Sequence, residues 1–201
     1  MLLRGAGGDS GEGEGGEDGD SAHGENFLLP DRYAAGGEKF AVDSAAMIDD
    51  AQFKLAMSHF ASGVTIVTTE AEGKAYGMTV ASFASLSLHP PLVLVCIEKS
   101  TKTHEAIVAA QRFGVSILGL DQKDVSNRFA SRADDKFAGI ETWRGELELP
   151  LIANALTALE CRVHQQLAGG DHSIFVGEVV STKTREGQPL VYFRSGYREI
   201  V

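Results

Sequence analysis

The stretch "TVASFASLSLHPPLVLVCI", Thr79 to Ile97, decides how the chain folds. Its first half carries Thr79, Ser82, Ser85 and Ser87, a double proline interrupts it, and a fully apolar run closes it. Short apolar runs rich in β-branched residues form strands, and "PLVLVCI", apolar at every position, predicts one buried on both faces. Pro90 and Pro91 cannot donate to a ladder, so they end one strand and aim the next. Residues two apart on a strand share a face, which sets Ser85 and Ser87 on one side and Ser82 and Ala84 on the other. Thr79 and Ala81 flank them. So polar and small-sided a surface suits either a water-facing edge strand or the close approach of a flat polar ligand.

Downstream, "EKSTKTHEAI" places Lys99, Ser100, Thr101, Lys102 and Thr103 at the start of a predicted helix. Free N–H groups, the positive end of the macrodipole, hydroxyls and two lysines make an anion site there. Thr101 or Thr103 serves equally well as a plain N-cap, with or without an anion. Together, a planar-ligand surface and a phosphate-type helix start point to a nucleotide-like cofactor outside a Rossmann frame.

Further elements follow from spacing. In "DDAQFKLAMSHFASG", Phe53, Ala56, Met57 and Phe60 fall at helical intervals, with Asp49 or Asp50 capping the start and Gly63 ending it. "VTIVTTE" reads as a strand, "AEGK" as a turn and "AYGMTVASFASLSL" as one or two strands. "TKTHEAIVAAQ" is an expected helix, "RFGVSIL" a strand, and "DQKDVSNRFASRADDKF" a helix with Val125 and Phe129 on one side. The last third reads as a hairpin. Leu159, Cys161 and Val163 alternate on its first arm, "AGGDH" turns, and Phe175, Gly177 and Val179 share a face on the second. Six or seven strands with few helices and no βαβ rhythm predict a mainly β fold, a β-barrel with helical additions.

Composition bounds the rest. Residues 1–46 hold ten acidic and three basic residues, −7 of the net −10, and 11 of the 23 glycines. Such a segment cannot bury enough surface to offset its ordering entropy, so it reads as a disordered arm, with a start at Met47 left open. Its "GEGEGG" (Gly11 to Gly16) matches G-x-G-x-x-G, but no strand precedes it and Glu12 and Glu14 lie within it, which excludes a dinucleotide fingerprint. Residues 47–201 form the expected domain, with a net charge of −3 and no basic excess for nucleic acid. Two cysteines make no disulfide framework, and no stretch has the length or apolarity of a membrane span or signal peptide. A soluble, cytoplasmic chain with free thiols is the expectation. Cys161 and His164 have ligand-like spacing, but on a strand they point to opposite faces, and no metal is expected.

The ordered set "FASGVTIVTT", "GMTVASFASLSLHPPLVLVCI", "KSTKT", "RFGVSIL", "QKDVSNRFA" with "DKFAG", and "GGDHSIFVGEVV" followed by "PLVYFRSGY" resembles the short-chain flavin reductases. These are the reductase components of two-component flavin-dependent monooxygenases, and the likeness runs from about Gln52 to Ile200. The resemblance implies a split β-barrel that forms a homodimer, binds FMN or FAD, and takes hydride from NADH or NADPH. It implies that the flavin ring rests on Ala75, Tyr76, Gly77, Met78 and Thr79 together with Ala81 and Ser82. Cys96, Ile97, Glu98, Lys99, Ser100, Thr101, Lys102 and Thr103 would surround the ribityl chain and phosphate, with Ser100 and Thr103 at the phosphate itself. The resemblance also implies that His172 orients the nicotinamide and that His172, Ser173, Ile174 and Phe175 bind the NAD(P)H. Gly169 and Gly170 supply the turn's φ freedom, which an ordinary Gly-Asp hairpin also needs. The implied partner is a monooxygenase served by diffusible reduced flavin, with no membrane or nucleic acid involved. Two alternatives stand beside this reading: a split-barrel flavoprotein that keeps its flavin and reduces a small acceptor, and a flavin- or haem-binding protein without turnover.

Overall fold

The computed structural model describes residues 48–200; the expected arm at 1–46 lies outside the described residues. The compact unit runs from Ile48 to Val201. It opens with helix α1 (Asp50–Ser58), where Asp49 and Gln52 form a reciprocal capping box. The helix stops at Ser58 with His59 as its cap, before Gly63. No α1 side chain is buried: Phe53, Leu55 and Met57, and Phe60 just beyond, all stay more than half exposed. Helical spacing therefore gave the helix, while its apolar residues stay largely uncovered among the described residues.

Strands β1 (Ser62–Gly63), β2 (Thr65–Ala71), β3 (Lys74–Val80), β4 (Phe83–Leu88) and β5 (Pro91–Glu98) follow. Glu72 and Gly73, both at positive φ, make the two-residue turn between β2 and β3, a backbone twist that matches paired strands. Leu88 pairs with Pro91, so His89 and Pro90 form the turn that the double proline predicts. Helix α2 (Lys102–Ala110) comes next, capped by Thr101, with Gln111 in the left-handed region closing it. Then come β6 (Arg112–Ile117), a 3-10 turn at Leu120–Gln122 and helix α3 (Lys123–Ala130). Strands β7 (Thr142–Arg144), β8 (Pro150–Ile152), β9 (Thr157–Gly169), β10 (His172–Thr184), β11 (Val191–Phe193) and β12 (Gly196–Arg198) complete the chain.

Seven strands form one antiparallel sheet in the order β3-β2-β6-β9-β10-β5-β4, and the short strands form two small sheets beside it. The fold is mainly β and of the split-barrel type, as expected. Its main core holds Val95, Ile97, Phe113, Val115 and Phe175, joined by Leu159, Cys161, Val163 and Val179 from the faces that alternation selects. A second cluster, with Ile66, Leu118 and Phe129, lies under α3.

Three local expectations change. Strand β5 is not buried on both faces: Val93, Val95 and Ile97 are buried, whereas Leu92, Leu94 and Cys96 are half-buried. In this antiparallel sheet the core covers only one side of β5. A bulge at Leu86 sets Ser85 opposite Val93 and Ser87 opposite Leu92, so the two serines lie on opposite faces. Finally, α3 ends at Ala130, and Ser131 to Phe137 run on as a loop.

Strand β9 also buries a carboxyl group. Glu160 is fully buried and accepts hydrogen bonds from Leu147 N (2.9 Å), Leu149 N (3.4 Å) and Ser181 Oγ (2.7 Å). It fastens the segment between β7 and β8 to the sheet. Beside it, burial and the Glu160 charge push the Cys161 thiol up to about 12, so the thiolate that reacts is scarce.

Candidate functional site

A groove of about 1000 Å³ runs along edge strand β3. One wall is Ala75, Tyr76, Gly77 and Met78; one end is Glu98 with Thr101, Lys102 and Thr103 at the start of α2; the other wall is the loop from Ala130 to Phe137. Gly77 is set there by packing: a Cβ would lie 2.7 Å from Cε1 of Phe129. The loop is tied down from below. Lys136 Nζ donates to Phe129 O (2.9 Å) and Gly77 O (3.3 Å), and burial lowers its pKa. Asp135 accepts from the N–H groups of Phe137 and Ala138, and Phe137 packs edge-on against Phe129 with ring centroids 5.0 Å apart.

The groove end carries donors. Thr101 Oγ1 accepts from His104 N at 3.2 Å, and the leading N–H groups of α2 are the ones a helix leaves without internal partners. Lys102 and Thr103 line the same end. Amide N–H groups, a hydroxyl and an ammonium suit a phosphate, and the small-sided strand with Ala75 and Gly77 suits a flat ring. The residues present therefore fit a flavin.

The hairpin turn neighbours this end through strand pairing, although none of Gly169, Gly170, Asp171 and His172 lines the groove itself. The register pairs Glu98 with His172 across β5 and β10. Gly170 at φ 66 and Asp171 make the turn, while Gly169 sits in the strand and takes no positive φ. His172 is half-exposed, and its Nδ1 lies 2.7 Å from Asp171 Oδ1. That contact, with the imidazole charge and that of Lys99, holds the Asp171 carboxyl below the usual range.

Other implied site residues lie elsewhere. Phe175 and Ile97 are fully buried in the main core, so their side chains are unavailable to a ligand. Ser173 is also buried; its hydroxyl meets His104 Nε2 (2.8 Å) and Gln166 Nε2 (3.1 Å). Ile174 pairs with Cys96, and both are half-buried, away from the groove lining. The opening hydroxyls are partly committed: Thr79 Oγ1 donates to Ser126 O (2.6 Å) and Ser82 Oγ to Cys96 O (3.0 Å). Ala81 is exposed beside them. Ser100 Oγ donates to Glu98 Oε1 at 2.5 Å, and Lys99 turns toward Gly170.

Sequence reasoning missed the second wall, including Arg132, Lys136 and Phe137, because the segment reads as continuing α3. It also missed His104, whose pKa is lowered by burial and by Lys99, against Glu105. Asp134 and Asp135, residue types that favour turns over helix interiors, were the available signal for the loop.

Residues 57–201 match the model of the flavin reductase like domain. The reductase component of the 4-nitrophenol 4-monooxygenase/4-nitrocatechol 2-monooxygenase of Rhodococcus opacus is 43% identical over 154 residues, 77% of this chain and 83% of that one. The reductase subunit HsaB of a flavin-dependent monooxygenase from Mycobacterium tuberculosis is 40% identical over 159 residues, 78% of this chain and 85% of that one. Among solved structures, the Streptomyces globisporus NADH:FAD oxidoreductase SgcE6, in complex with NAD and FAD fragments, superposes with a TM-score of 0.74 at 34% identity, covering 78% of this chain and 98% of that one. The family model spans most of the chain and the fold superposes on a solved relative, and the chain therefore belongs to the flavin reductase family.

Proposed function

We propose that the chain is an NAD(P)H:flavin oxidoreductase that binds FMN or FAD along β3, reduces it, and releases it to a separate monooxygenase. The observation that carries this reading is the meeting of two sites at one register pair. A phosphate-suited groove end reaches Glu98, and Glu98 pairs with His172 on the hairpin turn. The flavin supplies the hydride-accepting chemistry when bound; the chain's task is to bind and orient. Ala75, Gly77 and Met78 give the ring a flat bed, while Lys102, Thr103 and the α2 amides hold the phosphate. With Nδ1 of His172 engaged by Asp171, Nε2 is the ring nitrogen left to meet the nicotinamide carboxamide. Holding two rings about 3–3.5 Å apart in orientation is the catalytic contribution.

The same reading assigns activity to residues 47–201, so a chain beginning at Met47 should keep full activity. It also assigns a homodimer, which the exposed apolar side chains Phe53, Leu55, Met57 and Phe60 support, and a cytoplasmic site. Among the described residues, no helix is long and apolar enough to cross a membrane. The test is a steady-state assay crossing NADH and NADPH with FMN, FAD and riboflavin. Oxidation of nicotinamide only when free flavin is added supports the proposal. A protein that stays yellow through purification and needs no added flavin would instead keep its flavin for another acceptor.

A further inference from the structure

We propose that Lys99 is a positioning residue for the nicotinamide side of the reaction, holding the hairpin turn at the groove's end, and does not bind the flavin phosphate. The inference rests on the proposed function. Its ground is the way one residue holds both central residues of the turn. Lys99 Nζ donates to Gly170 O at 2.6 Å, and Lys99 N donates to Asp171 O at 3.0 Å. Lys102, three residues on, lines the groove; Lys99 does not.

The turn needs such a tie. Pairing between β10 and β5 ends at His172 and Glu98, so Gly170 and Asp171 overhang the last paired residue. A Cβ on Gly170 would meet nothing within 4 Å, and the Asp171 side chain is 88% exposed. Neither residue packs against the core. The turn's position therefore rests on hydrogen bonds to its backbone, and Lys99, just past the end of β5, supplies two of them. Asp171 in turn holds Nδ1 of His172. A looser turn moves the imidazole and leaves the flavin's bed on β3 untouched.

Lys99→Met keeps most of the side chain's apolar stem and removes the ammonium, while Lys99→Arg keeps a donor. Three readouts are needed: NADH kinetics at saturating flavin, affinities for FMN and riboflavin by fluorescence quenching, and amide hydrogen exchange at residues 170–173 without ligand. For Lys99→Met we expect kcat/KM for NADH to fall roughly tenfold, within the hundredfold that an ångström of misplacement can cost. Both flavin affinities should stay within about twofold of the parent, since no phosphate contact is lost. The turn amides should exchange faster, and Lys99→Arg should restore most of both losses. Selective weakening of FMN over riboflavin would make Lys99 a phosphate ligand and overturn the inference. Unchanged NADH kinetics and exchange would overturn it as well. A parent protein that oxidises neither NADH nor NADPH with any added flavin would refute the function itself, and with it the nicotinamide role; exchange in the free chain separates that failure from a turn that never needed Lys99.

Discussion

Gly77 lies directly under the ring of Phe129: a Cβ on it would come within 2.7 Å of Cε1 and 3.0 Å of Cδ1. The pair joins the floor of the groove to the core beneath α3, where Phe129 is fully buried. Phe129 also meets Phe137 of the loop wall, so its ring has little room to retreat. Gly77→Ala should therefore destabilise the fold by about 1–3 kcal/mol, the usual range for overpacking. Urea unfolding with and without flavin checks it. The variant should also bind flavin more weakly, because a displaced Phe129 shifts the loop that walls the groove.

Lys102 is exposed at the groove end, where an anion is expected. Lys102→Met should weaken FMN by about 1 kcal/mol, roughly fivefold in Kd, since exposed charge pairs are screened. Riboflavin, which carries no phosphate, should bind as before. Added salt should narrow the difference between parent and variant. Equal weakening of both flavins would place the phosphate elsewhere.

Glu160 predicts an order among its own substitutions. Glu160→Ala opens a cavity and strands the N–H groups of Leu147 and Leu149, at a cost of roughly 3–5 kcal/mol. Glu160→Gln retains one carbonyl oxygen for those donors, and the Ser181 hydroxyl can rotate to accept from the amide; its cost should be about 1–3 kcal/mol. Denaturant titrations that reverse this order would contradict the satisfied buried network.

His104 gives a pH dependence of defined sign. Burial, then Lys99, lowers its folded-state pKa below the ordinary value of 6.5. Just below pH 6.5 the unfolded chain therefore takes up the proton before the folded chain does. Stability should fall as pH drops through that window and level off once the folded imidazole also protonates. Asp171 acts separately: its lowered pKa gives stability present above its ordinary value of 3.8 and lost as pH falls through its folded pKa. Thermal unfolding of His104→Gln should lack the first component between pH 5 and pH 7 and keep the second, which a scan below about pH 4 reads.

Much of this was legible because strand alternation leaves a strong mark. Leu159, Cys161, Val163 and Val179 reached the core on the faces that a period of two selects. The same alternation put Phe175 on the core side with Gly177 and Val179, in conflict with the ligand contact implied by resemblance, and the core position is the one found. Thr101 announced the start of α2 through its capping hydroxyl. The Leu86 bulge left no such trace, since one extra residue on an edge strand changes facing without changing composition. The second groove wall was hidden for another reason: Phe129 and Lys136 keep a helical spacing beyond Ala130, and the loop is set by the reach of Lys136 back to Gly77 O together with a local turn at Asp135. Glu160 was unreadable alone, because its partners are backbone amides and a serine far along the chain.

The sheet order governs how the protein can assemble during synthesis. The β2–β3 and β4–β5 hairpins are local and complete by Glu98, yet they occupy opposite ends of the seven-strand order. What joins them is β9 and β10, where β6 pairs with β9 and β5 with β10. Closing pairs such as Cys96 with Ile174 span long loops, whose entropy must be met before the contacts return anything. A nascent chain that has emerged only as far as β8 thus has two unjoined fragments with open strand edges, the condition in which such fragments associate with one another. The ribosome must deliver β10 before the groove lined by residues 73–137 has a frame to hold its shape.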